Sequence, residues 1–472
     1  MKLRDWQNTC IDLAYEKYVS GGKHFLTLAT PGAGKTIKAS ALANRLLRDG
    51  LIDLVFCFSP SSVVSKDFSE TLQCVILERF DGLLGSKGQS LTYQSMQYLG
   101  NDFWNLFKKY RVFVIFDEIH HCSGSNVTNA NSWGEQIILN IQDQAAYTLA
   151  LTGTPWRSDT APIVLSQYLD QCGNIECDYA YGLSEAIADN VCRIPQVVII
   201  DNDNISLTEK NKTRSFCSFK DLLSKSIFPY QELIKNPRVM AHLIGIADRK
   251  LSSIRQVNPN AAGLVVASSV EHAKQIALLM YTKFGEKALV ITYFEDEPAK
   301  LIHQFRNGNT KWVISVGMIT EGTNIPRLQV CCHLTNIKTE MHYRQILGRI
   351  LRMTDSVNQE AVLYMPAEPK LIDFAYRIAE EIPAGTNVVT FGKMSSRFKA
   401  EIMTVDDAEN KTRETTEPNE YDLGLDAFDS VCEPLKEELP EKSFLSSSYE
   451  KMFDIYGRFQ QETLELRLNP LE

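Results

Sequence analysis

The sequence predicts an α/β protein: two parallel sheets in tandem, each flanked by helices. Three observations carry that prediction. Short apolar runs alternate with segments of helical period. They fall into two sets of similar build. The residues at the ends of several runs are chemically loaded, above all ATPGAGKT at Ala29–Thr36, DEIH at Asp117–His120 and QILGRILR at Gln345–Arg352. Apolar runs this short, bounded by turn residues, suit strands buried on both faces, and strand–helix alternation is the mark of a parallel sheet.

The first set comprises HFLTLAT (24–30), LVFCFS (54–59), VFVIFDE (112–118) and YTLALTG (147–153). Between them, Thr36–Asp49 has helical period and stops at Gly50, as a helix C-terminus does. This gives a first domain over 1–160. Residues 161–255 are more polar and helical in pattern, and are expected to form a helical connector. The second set is GLVVASS (263–269), ALVITYF (288–294), KWVISVGM (311–318), QVCCHLT (329–335) and AVLYM (361–365), giving a second domain over 256–395. Residues 396–472 form an acidic extension. It has a Thr/Glu/Pro-rich, flexible stretch at 412–420 and a final amphipathic helix near Ser447–Arg467.

Bulk properties narrow the classes. With 44% hydrophobic and 23% charged residues, the composition is that of an ordinary globular protein. No apolar run reaches the ~20 residues of a membrane span, and the first residues lack a signal-peptide core, so the expected location is the cytoplasm. None of the eleven cysteines has the paired spacing of a zinc site. The net charge of −9 is unevenly placed: from Glu401 onward 19 Asp and Glu outnumber 7 Lys and Arg, leaving residues 1–400 mildly basic. That balance is compatible with binding phosphates.

The loaded segments form one chemical set. Pro31, Gly32, Ala33 and Gly34 follow a strand and precede a helix, the setting in which backbone N–H groups cradle phosphate. Lys35 supplies charge for β- and γ-phosphates and Thr36 a hydroxyl for Mg²⁺. Asp117 and Glu118 end a strand, where open α/β sheets place ligands; Asp117 suits the Mg²⁺ shell and Glu118 can take a proton from an attacking water. Arg349 and Arg352 are three apart and Gln345 is four before Arg349, so all three share a helix face. Arginine there stabilises charge on a transferring phosphoryl group. ATP and Mg²⁺ are the implied cofactors.

On these residues the chain resembles the superfamily 2 helicases and translocases over roughly 1–370. It is nearest to the branch with type III restriction motor subunits, UvsW, RadD and XPB. The resemblance implies two RecA-like domains with ATP in the cleft between them and nucleic acid running across both. LRDWQ (3–7) is similar to the adenine-contacting element, with Gln7 on the base. FSPSSVVSKDF (58–68) and LTYQSM (91–96) occupy the places of phosphate-contacting motifs, implying nucleic-acid contacts at Ser59, Pro60 and Thr92. LTGTPWR (151–157) resembles the motif that couples ATP state to strand grip, implicating Thr152 and Thr154, with His120 of the DExH box. MITEGTNIPRL (318–328) resembles motif V and implies Thr320 on nucleic acid and Gly322 at the nucleotide; Asn324 stands where members usually carry aspartate. The expected function is an ATP-dependent DNA helicase or translocase acting on double-stranded or forked DNA. The alternatives are an RNA helicase, or an ATPase switch subunit of a restriction or phage-defence complex with a nuclease or other defence partner.

Overall fold

The computed structural model describes residues 2–124, 128–153, 163–168, 175–209, 212–295, 297–317, 319, 323–380 and 451–465. Its first unit opens with α1 (Asp5–Val19) and β1 (His24–Ala29), followed by α2 (Lys35–Arg48), β2 (Leu54–Ser59), α3 (Ser62–Ile76) and β3 (Gly88–Thr92). Two single turns, α4 (Asn101–Trp104) and α5 (Leu106–Lys109), lead to β4 (Val112–Phe116), α6 (Ser132–Asn140) and β5 (Tyr147–Thr152). A small hairpin of β6 (Gln167–Tyr168) and β7 (Ile175–Glu176) precedes β8 (Tyr179–Tyr181) and α7 (Leu183–Ala188). The sheet runs β3-β2-β4-β5-β1-β8, and every pair in it is parallel. Its central strand β4 is buried at all five positions, as a helix-covered parallel sheet requires.

The second unit starts with β9 (Pro195–Asn202), β10 (Ile205–Glu209), β11 (Lys212–Phe216), α8 (Phe219–Lys225), α9 (Tyr230–Lys235) and α10 (Pro237–Val257). It continues through β12 (Ala262–Ala267), α11 (Val270–Phe284), β13 (Ala288–Ile291), α12 (Pro298–Asn307), β14 (Trp312–Ser315) and β15 (Leu328–Leu334). Next come α13 (Glu340–Ile350), β16 (Ala361–Pro366) and α14 (Pro369–Glu380), and then β17 (Lys451–Ile455) and β18 (Phe459–Glu465). The order β13-β14-β12-β15-β16-β9-β18 is parallel except for the edge strand β18.

Two expectations are corrected here. Residues 161–255 are not a helical connector: β8 extends the first sheet, and β9 enters the second between β16 and β18. The apolar run Val197–Ile200 is buried on both sides; only its long-range pairing with residues 361–366 and 459–465 makes it a strand. The expected helix near Ser447–Arg467 is instead two consecutive strands: β17 pairs antiparallel with β10, and β18 pairs antiparallel with β9. The junction between them requires glycine at 457, where a Cβ would lie 2.1 Å from Asp203 Oδ1 and 2.4 Å from Asn204 N. The acidic stretch 396–450 lies outside the described residues. Among the described residues no helix is long and apolar enough to cross a membrane.

The second unit buries two histidines in neutral form. Burial pushes His272 down to about 4 and His333 to about 3, and neither ring nitrogen of His333 has a hydrogen-bond partner among the described residues. In the unfolded chain both take up protons below about 6.5, so folding loses stability as pH falls from there toward the folded values. The expected result is a loss of about 2 kcal/mol between pH 6.5 and 5.5, two histidines each contributing about 1. Urea unfolding at the two pH values measures it; coincident midpoints would contradict neutral burial.

Candidate functional site

The phosphate loop is built by local necessity. Gly32 and Gly34 have φ of 87° and 98°, conformations that cost a residue with a Cβ. Gly34 is also the N-terminal cap of α2, so the loop delivers the chain to a helix start, where N–H groups and the helix dipole favour an anion. From the other side, Arg4 Nη1 donates to the Ala33 carbonyl (2.7 Å) and Gln7 Nε2 to that of Gly34 (3.0 Å). The Gln7 Oε1 meanwhile accepts from Arg4 N. Gln7 therefore ties α1 to the phosphate loop in this structure. Arg4, unassigned in the sequence reading, shares that task; its only signal was its place within LRDWQ. Behind it, the Trp6 ring stacks on Tyr181 at 4.7 Å.

The DEIH segment meets this loop across the sheet. Lys35 Nζ lies 3.1 Å from the Ala29 carbonyl and 3.2 Å from Glu118 Oε1. Glu118 has φ 51°, a strained choice for a non-glycine residue that clusters at functional sites. The strain aims its carboxylate back at the loop, where Gly153 N also donates to it (3.2 Å). His120 Nδ1 lies 3.5 Å from Glu118 and 2.9 Å from Thr152 Oγ1, joining the acidic pair to the end of β5. Tyr93, which sequence reasoning missed, donates its hydroxyl to the Asp117 carbonyl at 2.9 Å.

Electrostatics separates the two carboxylates. Burial, and after it the neighbouring Glu118, pushes Asp117 upward. Burial also acts against ionised Glu118, but Lys35 first and then His120 and the Gly153 amide outweigh it and hold Glu118 low. Adjacent carboxyls driven apart suit different roles. A buried Asp117 with no ion pair among the described residues fits a Mg²⁺ site completed by nucleotide oxygens, the usual mode for this ion. Thr36 stands on the first turn of α2, directly after Lys35.

The arginine helix α13 approaches from the second unit. A Cβ on Gly348 would fall 2.5 Å from Pro31 Cβ, and one on Gly32 would fall 3.1 Å from Arg352 Cγ. The Cys192 thiol donates to the Pro31 carbonyl (3.7 Å), and Arg193 N donates to that of Leu351 (2.7 Å). Arg349 and Arg352 both donate to the Thr323 carbonyl, at 2.7 and 2.6 Å. Burial, then Arg349 and Arg306, pushes Arg352 down to about 9, the signature of crowded guanidinium groups that an anion would relieve. Arg306 pairs with Asp67 of the first unit at 3.0 Å. No motif had marked Arg306, Cys192 or Arg193, and Asp67 carried no role within FSPSSVVSKDF, because each matters through a partner more than 130 residues away.

Gly348 thus sets how closely α13 seats on the loop. In Gly348→Ala the methyl meets the Pro31 ring, which must shift. Displacement of about 1 Å costs on the order of 100-fold in rate, so kcat for ATP hydrolysis is expected to fall by that factor, with KM changed far less. Steady-state ATPase assays decide it; wild-type kcat would mean α13 need not seat this closely.

The remaining sequence-predicted residues divide. Gln345 is buried on α13. Thr92 is half-buried and its hydroxyl accepts from Ser95 N. Ser59 and Pro60 are both buried at the end of β2, and Ser62 beside them is exposed. Thr154, Thr320 and Gly322 lie outside the described residues. Trp133 belongs to α6 and stacks on Tyr93 at 5.6 Å.

Comparison with known proteins places this geometry. Residues 1–157 match the family "Type III restriction enzyme, res subunit", and residues 246–354 match "Helicase conserved C-terminal domain". An uncharacterised protein of Mycobacterium tuberculosis is 27% identical over 394 residues, covering 79% of this chain and 62% of its own length. The chain thus spans about three fifths of that relative. The DNA 3'-5' translocase XPB2 of Sulfurisphaera tokodaii is 22% identical, covering 77% of this chain and 81% of its own. Among solved structures, a fragment described as an HsdR subunit of a type I restriction enzyme from Vibrio vulnificus YJ016 superposes with a TM-score of 0.54 at 16% identity. That match covers 79% of this chain and 65% of that one. The type ISP restriction-modification enzyme LlaBIII bound to DNA gives 0.50 at 14%, over 80% of this chain and 29% of that one. Dbp5 of S. cerevisiae bound to RNA and ADP BeF3 gives 0.50 at 12%, over 80% and 88%. Two RecA-like helicase domains, each matching its own family, make this chain a superfamily 2 helicase-type protein related to the type III restriction motor subunit.

Proposed function

We propose that the chain is an ATP-driven motor that moves along DNA, duplex or forked, hydrolysing ATP at the contact between its two units. The observation that carries this is the seating of Gly348 on Pro31, which puts a crowded arginine cluster from one unit beside the phosphate loop of the other. Lys35, Arg349 and Arg352 would carry the charge developing on the γ-phosphate, Glu118 would accept the proton of the attacking water, and Thr36 and Asp117 would hold Mg²⁺. Because the arginines belong to the second unit, hydrolysis requires closure, and strand binding across both units would promote it. The contact of His120 with Glu118 and Thr152 would report nucleotide state to residues after β5.

DNA is preferred as the track because one relative is a DNA translocase and one structural neighbour is bound to DNA. The likeness to restriction motors favours a place in a larger assembly with a nuclease partner, in the cytoplasm. Steady-state ATPase rates with single-stranded, duplex and forked DNA, and with RNA, test the reading. Stimulation is expected with DNA and its loss in Lys35→Ala. Stimulation by RNA alone would move the track to RNA, and a fully active Lys35→Ala would sink the site.

A further inference from the structure

Away from the cleft, α10 and the consecutive strands β17 and β18 line two adjoining, open hollows, of about 430 and 580 Å³, which share His242 and Phe459 as a common wall. On α10, Arg238, His242 and Arg249 follow one another at steps of four and seven, along one helix face. Lys250 and, from α11, Lys283 add to this rim. The charge is largely uncompensated. Lys250 pairs with Glu360 and Arg238 reaches only the Ile455 carbonyl, while Arg249 and Lys283 are exposed with no ion pair among the described residues. Aromatic rings interleave with these cations: Phe459 stacks on His242 at 4.1 Å, and Tyr456 is 65% exposed at the turn.

We propose that this groove is a second nucleic-acid contact, which holds a single strand on the outer face of the second unit. It rests on the reading of the chain as a nucleic-acid motor and adds a surface that no helicase motif supplies. The stripe from Arg238 to Arg249 covers eleven helical steps, ~16 Å, the length of a few nucleotides of an extended strand. Cations beside open aromatic faces are what a single strand uses, phosphates on the charge and bases on the rings. An acidic peptide would use only the charge. The chain's own stretch 401–450, where 15 Asp and Glu outnumber 4 Lys and Arg, is the competing anion.

The test is anisotropy titration of the full chain with a labelled oligo-dT of about 30 nucleotides across a salt series. Arg249→Glu with Lys283→Glu is expected to weaken binding about tenfold and to lower the salt slope by about 1.4, or ~0.7 per phosphate contact. The kcat at saturating oligo-dT should not change. Tyr456→Ala should weaken binding with the salt slope preserved. Wild-type affinity and slope in both variants would overturn the groove and leave a nucleic-acid-stimulated ATPase, hence the proposed function, standing. An ATPase that no nucleic acid stimulates, in a chain that still binds oligo-dT through these residues, would overturn the proposed function and keep the groove. Loss of binding to a 401–450 peptide, with oligo-dT binding unaffected, would assign the groove to the chain's own acid and overturn the inference.

Discussion

Glu118→Gln is expected to lower kcat for ATP hydrolysis about 1,000-fold, within the range for loss of a general base, while ATP still binds. Glutamine keeps the shape and an oxygen for the Gly153 amide, so the contact at 3.2 Å survives. What goes is the negative charge facing Lys35 at 3.2 Å and His120 at 3.5 Å. Lys35 and the glycine loop are untouched, so nucleotide affinity should stay within a few-fold. Single-turnover hydrolysis beside equilibrium binding of a fluorescent ATP analogue separates the two. Near-normal turnover would show that Glu118 only braces the loop; lost binding would show that its charge sets the geometry of Lys35.

Arg352→Gln is expected to reduce kcat on the order of 1,000-fold, at the lower end for removal of an arginine that stabilises phosphoryl transfer. The glutamine stem keeps the Cγ that packs over Gly32, where a Cβ would fall 3.1 Å from it, so the two units should still meet. The guanidinium is lost, together with its bond to the Thr323 carbonyl. Arg352→Lys should recover only part of the rate, since lysine restores charge but not the planar fork. If Gln, Lys and wild type hydrolyse ATP equally, Arg352 serves the domain contact alone. A comparison of kcat with the affinity for nucleic acid distinguishes this from a defect in strand binding.

Much of the frame was legible in the chain. Nine apolar runs predicted strands, and each overlaps one strand of the two sheets, with β12, β15 and β16 extending one residue beyond their runs. The loop glycines, Lys35, the acidic pair and α13 also stand at the element ends that the pattern implied. These were readable because a buried parallel strand must be apolar throughout and a phosphate loop needs glycine at fixed places, constraints that act within a few residues. The strands β9, β17 and β18 were not readable as such. A strand's identity lies in its partner, and Pro195–Asn202 pairs with residues 361–366 on one side and 459–465 on the other.

By itself, then, the sequence determined two α/β units, the phosphate loop and the residue types that face a triphosphate, since these follow from local periodicity and side-chain chemistry. Tertiary structure alone decided which groups meet. It joined Gln7 and Arg4 to the loop carbonyls, set Gly348 against Pro31, paired Arg306 with Asp67 and buried Ser59 beneath its strand end. Each of these depends on the distance between segments far apart in the chain, which is fixed by how two sheets pack and not by any run of neighbouring residues.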